Sequence, residues 1–188
     1  MAYNRRGESD LHQTHDSARR MALRLENGAI HGHARDGTIF PGAYGGNMDY
    51  NRIGQGATVW LPVSHAGGLL FIGDAHALQG DGEPNGTGVE TSMDVTFTVT
   101  LRKKAALTGP RVMTSDSIIS VGSQPEFASS LDRALRLATS DMVEWLVKDY
   151  KMEPWAAHLL ISYQGRYDVV TVAGSMALRI PKAELPKI

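Results

Sequence analysis

The stretch from Gly73 to Glu90, GDAHALQGDGEPNGTGVE, places several chemically active side chains in a segment rich in glycine. Asp74 and His76 are two residues apart, so on a strand both side chains point to the same face. A carboxylate and an imidazole that converge in this way suit a divalent cation such as zinc. The spacing therefore predicts a metal site or an acid/base site at the end of a strand.

Further residues of this stretch offer groups for proton transfer and for substrate binding. Asp81 and Glu83 are separated by a single glycine, and Glu90 closes the stretch. Neighbouring carboxylates can act as general acid and base, because like charges keep one of them protonated near neutral pH. The amide of Gln79 can orient a carbonyl group or a water molecule. The alternative interpretation is a polar loop in which aspartate and glycine only form turns.

Composition excludes several other kinds of site and partner. The 188-residue chain has no cysteine, which excludes disulfides, thiolate zinc sites and cysteine nucleophiles. No serine lies in a Gly-x-Ser-x-Gly context, so nothing indicates a Ser-His-Asp hydrolase. A net charge of -1 and few aromatic residues argue against nucleic acid or an anionic membrane as a partner. With no long apolar run and no apolar signal segment, the sequence predicts a cytoplasmic protein.

The hydrophobic pattern divides the chain into three regions. Residues 1–28 are polar and lack a period, which predicts a mobile N-terminal segment. Residues 29–125 contain short β-rich runs separated by glycine, which predict an antiparallel barrel or sandwich that carries the site. In residues 126–188 the period changes and predicts two helices followed by two strands. The expected fold class is therefore mainly β with a small α+β C-terminal unit.

The most regular strand pattern lies between Val89 and Lys103. One face of this predicted strand carries Val89, Thr91, Met93, Val95, Phe97, Val99 and Leu101. The first helix is predicted from Ser130, a good N-cap residue, to about Tyr150. The second helix is predicted to begin at Pro154, which suits the first helical position, and to stop near Gly165.

Several longer motifs of the chain occur together and in a fixed order. They are GGNMD, GATVWLPV, GDAHALQGDGE and ETSMDV, followed by the C-terminal helical stretch. Over roughly residues 36–185 the chain resembles the acetamidase/formamidase family. The resemblance implies an oligomeric, cytoplasmic, β-rich enzyme that hydrolyses short amides such as formamide or acetamide to ammonia and a carboxylic acid. It also implies a reaction without a serine or cysteine nucleophile and with a divalent metal.

The resemblance assigns expected roles to individual residues. The metal, zinc or alternatively calcium, is expected to be bound by Asp49, Asp74 and His76. The catalytic carboxylates that transfer protons are expected among Asp81, Glu83 and Glu90. Binding of the small amide substrate is expected from Asn47 and Gln79.

One departure from the family pattern leaves alternatives open. Members of the family are longer and carry an N-terminal β region, where this chain has a short polar segment. The chain is therefore expected to be an active minimal amidase, a non-catalytic homologue that acts as a binding or assembly module, or one half of a split amidase. Because uncovered sheet edges and apolar faces associate, a homo-oligomer is expected.

Overall fold

The computed structural model describes residues 22–27, 41–64, 66–68, 70–123 and 130–187. These residues form two antiparallel sheets and two helices, which confirms the expected mainly β fold with helices near the C-terminus. The strands are β1 (Ala22–Asn27), β2 (Gly45–Gly46), β3 (Thr58–Trp60), β4 (Leu70–Leu78), β5 (Val89–Glu90), β6 (Arg111–Met113), β7 (Ser117–Ser123), β8 (Arg166–Thr171) and β9 (Ser175–Pro181). The helices are α1 (Leu131–Lys148) and α2 (Pro154–Gln164), and a 3-10 turn follows at Lys182–Glu184.

The four-stranded sheet, in the order β2-β1-β4-β5, is built around the long strand β4. Pairing of β4 with β1 shifts by one residue between Gly73 and His76, and pairing with β5 shifts again between His76 and Leu78. Such bulges bend a strand and redirect its side chains. Asp74 lies within the first irregularity with φ of 57°, a left-handed conformation that aspartate adopts more readily than most residues. The backbone of β4 is therefore irregular at the residues that are expected to bind a metal or transfer protons.

The five-stranded sheet, in the order β3-β6-β7-β9-β8, holds a hydrophobic core on each face. Adjacent residues of a strand point to opposite faces, so Ile118 packs with the helices while Ile119 packs against the segment from Met48 to Leu61. In β9, Leu178 packs with the helices and Ala177 packs on the opposite face. The strand β7 is buried along its whole length for this reason. This sheet is the support on which the segment containing Asp49 rests.

A buried ion pair joins helix α1 to this sheet. Arg111 of β6 donates from Nε and a terminal nitrogen to the two carboxylate oxygens of Asp141, at 2.8 and 2.9 Å. The same guanidinium lies 4.8 Å from the ring centroid of Trp145, one turn further along α1. Paired hydrogen bonds of this kind fix the orientation of both planar groups. The helix therefore has a defined rotation and register on the sheet.

Both helices were predicted within a few residues of their observed bounds, and the final two strands were also predicted. Strong 3.6-residue periodicity and Pro154 at the first turn of α2 carry this information in the sequence. The five-stranded sheet combines β3, β6 and β7 from residues 29–125 with β8 and β9 from residues 126–188. The two predicted regions thus share one sheet.

The expectation for the strand between Val89 and Lys103 was wrong over most of its length. Strand pairing in the described part of the chain stops at Glu90, after which only the amide of Thr91 reaches the Ala75 carbonyl, at 2.9 Å. Alternation predicts that a segment prefers to be a strand, but it does not supply the neighbouring strand that the pairing needs.

Residues 22–27 also depart from the expectation of a mobile polar segment, since they form β1. The motif ALRLEN alternates apolar and polar residues over a length too short to stand out in the sequence. Its backbone pairs with β2 on one side and with β4 on the other. The remainder of the predicted N-terminal segment, residues 1–21 and 28, lies outside the described residues.

Candidate metal centre

Three side chains with metal-binding atoms meet at the irregular part of β4. His76 Nε2 lies 3.1 Å from Glu90 Oε1 and 3.6 Å from Asp74 Oδ1, and these atoms all lie within 4.8 Å of one another. His76 and Glu90 are directly opposite each other in the pairing of β4 with β5. The imidazole is fully buried, whereas the carboxylates are 32% and 55% exposed. The group therefore has a rigid, buried nitrogen and an open side that water can reach.

The spacing of these atoms fits a small divalent cation. Ligands about 2.1 Å from a tetrahedral zinc ion lie about 3.4 Å from one another. The two distances from His76 Nε2 fall on either side of that value. Three protein ligands with a fourth position left open is the arrangement of catalytic rather than structural zinc sites. Among the described residues, Asp74, His76 and Glu90 therefore form a group that fits a metal.

Gln79 determines which nitrogen of His76 faces this group. Its Nε2 donates to the backbone carbonyl of Asp49, at 2.6 Å, and a carbonyl can only accept. The amide oxygen must then face His76 Nδ1, which lies 2.8 Å away. Nδ1 therefore carries the hydrogen, and in the neutral ring the lone pair on Nε2 points toward Asp74 and Glu90. This is the tautomer that a metal ligand requires, held by a group behind the ring.

The same surroundings shift the protonation of His76. Burial of the ring is the largest influence and lowers its pKa, but the hydrogen bond to Gln79 and the charges of Glu90, Asp49 and Asp74 raise it further than burial lowers it. The net result is a pKa above the ordinary histidine value. The negative charge that favours a proton at Nε2 also favours another cation there.

A second carboxylate, away from the metal group, anchors the segment that carries Asp49. Asp168 Oδ2 on β8 accepts hydrogen bonds from the Tyr50 hydroxyl at 2.7 Å, Arg52 Nε at 2.9 Å and Arg179 Nε at 2.8 Å. Burial and the adjacent charge of Asp168 raise the pKa of Tyr50 well above its ordinary value, so its hydroxyl remains a donor. These bonds fix the backbone on both sides of Asn51 and, through the Asp49 carbonyl, the position of Gln79.

The remaining predicted site residues are placed around this centre. Asp49 is fully buried, and its charge acts on His76, although it is not one of the three grouped side chains. Glu83 is buried with φ of 49°, in the loop that follows β4. Asp81 is exposed and accepts from Asn51 Nδ2 at 3.0 Å. Asn47 is half-buried in the segment before Asp49.

For Glu90 and Gln79, the contacts in the structure differ from those that their predicted roles suggest. Glu90 was expected to transfer protons, yet it stands with the metal-binding atoms because strand pairing places it opposite His76. The role expected for Gln79 in substrate binding stays a prediction; in the structure both ends of its amide are engaged within the protein. Asp168 and its three partners carry no local signal, since Tyr50 and Asp168 are 118 residues apart.

Comparison with known proteins agrees with the motifs and the geometry. Residues 7–153 match the model of the Acetamidase/Formamidase family. The chain belongs to this family. Among solved structures, an acetamidase from Yersinia enterocolitica is 35% identical, with a TM-score of 0.80 over 90% of this chain and 51% of its own.

Two further solved structures show the same relationship. A protein from Thermoanaerobacter tengcongensis, described as a predicted acetamidase/formamidase, is 32% identical with a TM-score of 0.74 over 88% of this chain and 54% of its own. An acetamidase from Bacillus halodurans is 29% identical, also with a TM-score of 0.74, over 87% of this chain and 55% of its own. The chain therefore spans about half the length of these amidases. No helix within its described residues is long and apolar enough to cross a membrane.

The packing of Gly88 against His76 yields a direct test of the site. A Cβ atom at Gly88 would lie 2.7 Å from His76 Cγ and Nδ1, well inside an ordinary contact of about 3.5 Å. Gly88→Ala is expected to displace the ring from Gln79 and weaken zinc binding about 10–100-fold, as other changes behind a metal ligand do. Isothermal titration with zinc measures the effect.

Gly80→Ala is the matched control, because a Cβ at Gly80 meets nothing within 4 Å. It is expected to bind zinc like the unchanged protein. Equal zinc affinity in both variants, with both folded by circular dichroism, would contradict the role assigned to the packing of His76.

Proposed function

We propose that this chain carries the hydrolytic centre of an amidase that converts short linear amides such as formamide and acetamide to ammonia and a carboxylate. The observation that carries the proposal is the group Asp74, His76 and Glu90, in which Gln79 fixes the metal-binding tautomer of the histidine. Family membership supports the amide substrate class. The reaction is R–CO–NH2 + H2O → R–COO− + NH4+, with attack of water on the carbonyl carbon and cleavage of the C–N bond.

The metal would be held by Asp74, His76 and Glu90, with zinc as the expected ion and calcium as the alternative. When bound, such a cation lowers the pKa of a water molecule from about 15.7 to about 7 and polarises a carbonyl group. Asp49 adds buried negative charge near His76, which favours a cation at this ring.

The protein must also move a proton from water to the leaving nitrogen. Glu83 is the best candidate, because it is buried beside the end of β4 and its backbone is held in a conformation that costs about 1–3 kcal/mol for a residue other than glycine. Strain of that kind persists where the surroundings fix a side chain in place. Asp81, exposed and bonded to Asn51, would assist at the entrance of the site. The half-buried amide of Asn47 would orient the substrate carbonyl.

A second candidate function follows from the length of the relatives. This chain covers 51–55% of the three amidase structures, so residues that complete their active sites can lie in the unmatched half. The chain would then act together with a polypeptide that supplies that half, or as a binding module without activity. Ammonia release by the purified chain alone, from formamide, acetamide and propionamide with and without zinc, separates these functions from an independent amidase.

We also propose that the protein is a cytoplasmic homo-oligomer. Large apolar side chains exposed in the described part of the chain, among them Val99, Trp155 and Tyr163, support self-association. The cytoplasmic location stays a prediction, with which the absence of cysteine agrees.

The metal proposal predicts one zinc ion per chain, lost on removal of its nitrogen ligand. His76→Ala is expected to weaken zinc binding by more than the roughly 100-fold that changes behind a ligand produce, and to abolish amide hydrolysis. His158→Ala, which alters an exposed histidine of α2, is the control and should bind zinc normally. Inductively coupled plasma mass spectrometry and zinc titration measure both. Full zinc occupancy in His76→Ala would exclude the proposed centre.

The proton-transfer proposal predicts that Glu83→Gln abolishes amide hydrolysis while zinc content and thermal stability are retained. The substitution keeps the size of the side chain but removes its negative charge and its capacity to exchange a proton. Glu184→Gln, an exposed residue of the 3-10 turn, should leave the rate of ammonia release unchanged. A rate in Glu83→Gln equal to that of the unchanged protein would remove Glu83 from this role.

A further inference from the structure

The segment that follows β5 is extended and pairs with no strand among the described residues. From Thr91 to Arg102, here called the extended segment, the backbone forms neither helix, turn nor bend, and none of its residues has a positive φ. Beyond the bond from Thr91 to Ala75, it pairs with no strand in the described part of the chain. Its backbone therefore offers unpaired donors and acceptors along about ten residues, a template for pairing with another strand.

The apolar face of the extended segment is open to solvent. Phe97 is 56% exposed, Val99 69% and Leu101 66%, and Val95 on the same face is also exposed. Monomeric proteins seldom leave four large apolar side chains in one continuous row uncovered. A partner that adds a strand satisfies the backbone and covers this face at the same time.

The charges of the extended segment indicate that this partner is a second copy of the same chain. Its only charged residues are Asp94 and Arg102, one near each end. When two copies pair antiparallel about a twofold axis at Thr98, Asp94 of each copy lies opposite Arg102 of the other. The segment is thus complementary to itself in charge, and each dimer would contain two pairs of Asp94 with Arg102.

The same register places the apolar faces of the two copies on the same side. Phe97 lies opposite Val99 and Val95 opposite Leu101, so the apolar sides of both copies coincide. A slip of one residue would oppose apolar and polar faces. A slip of two residues in one direction leaves both charges opposite uncharged side chains. A slip of two residues in the opposite direction would place Asp94 opposite Lys104. Lys104 lies beyond the extended segment and has a φ of 59°.

We propose that the extended segment is the self-association surface of this protein, through antiparallel pairing of two copies centred on Thr98. This inference deepens the proposed homo-oligomer by naming its interface and register. It does not depend on the proposed metal centre or on amidase activity, because none of the residues that form the pairing belongs to that centre.

Charge reversal tests the proposal in the 188-residue chain. Asp94→Arg and Arg102→Asp each place like charges opposite one another at two symmetric positions, so each is expected to raise the dimer dissociation constant about tenfold or more. The double variant restores opposite charges and is expected to return to the original value. Sedimentation equilibrium over a range of concentrations, in the presence of chelator, measures association independently of any metal.

Mixing the two single variants is the decisive test. Asp94→Arg mixed with Arg102→Asp presents two basic side chains to two acidic ones, so a heterodimer is expected to form more tightly than either variant alone. The paired reversal of Asp132 and Arg136, an exposed ion pair on α1, is the control and should leave association unchanged. Circular dichroism confirms that each variant is folded.

Three outcomes would overturn the proposal. A protein that is monomeric at all concentrations would mean that the extended segment is covered by something other than a second copy. A dimer unaffected by either single reversal would lie on another surface, such as the exposed aromatic residues of α2. Weakened association that neither the double variant nor the mixture restores would exclude the Thr98 register.

Discussion

The site depends on one interaction, the contact of the Gln79 amide with the Asp49 carbonyl on one side and His76 Nδ1 on the other. A carbonyl oxygen can only accept, so the amide has a single satisfied orientation and the imidazole a single tautomer. Without that constraint, His76 Nε2 could carry the hydrogen and repel a cation. With it, the nitrogen lone pair is directed toward Asp74 and Glu90 at metal-binding spacing. A buried polar bond thus leaves the histidine beside two carboxylates in the tautomer that a metal ligand requires.

This bond in turn depends on the packing of the two sheets. The Asp49 carbonyl belongs to a segment that covers one face of the five-stranded sheet, where Met48 and Tyr50 are buried in the core. Asp168 ties that segment to β8 and β9 through Tyr50, Arg52 and Arg179. Asn51 connects it to the loop after β4 by donating to Asp81 and to the Gln79 carbonyl. The five-stranded sheet therefore supports the site indirectly, although the residues of the site lie on the four-stranded sheet.

Local sequence was sufficient for some of this arrangement and not for the rest. The helices and the pairing of Asp74 with His76 could be predicted because they rest on spacings of two to four residues. The position of Glu90 opposite His76 depends on a strand register set by two bulges, and the anchor at Asp168 depends on contacts across more than 100 residues of chain. Period-two alternation from Val89 to Lys103 predicted a strand, but a strand also needs a neighbour, and alternation does not specify one.

The tautomer of His76 is the most direct measure of this account, because the metal site exists only if Nε2 is left free. Two-bond nitrogen–proton NMR spectra of the histidine rings, recorded on metal-free protein above the pH at which His76 is protonated, report which nitrogen carries the hydrogen. The expected result is a hydrogen on Nδ1 and an unprotonated Nε2 whose resonance shifts when zinc is added. A hydrogen on Nε2, or a ring whose signals do not respond to zinc, would contradict it.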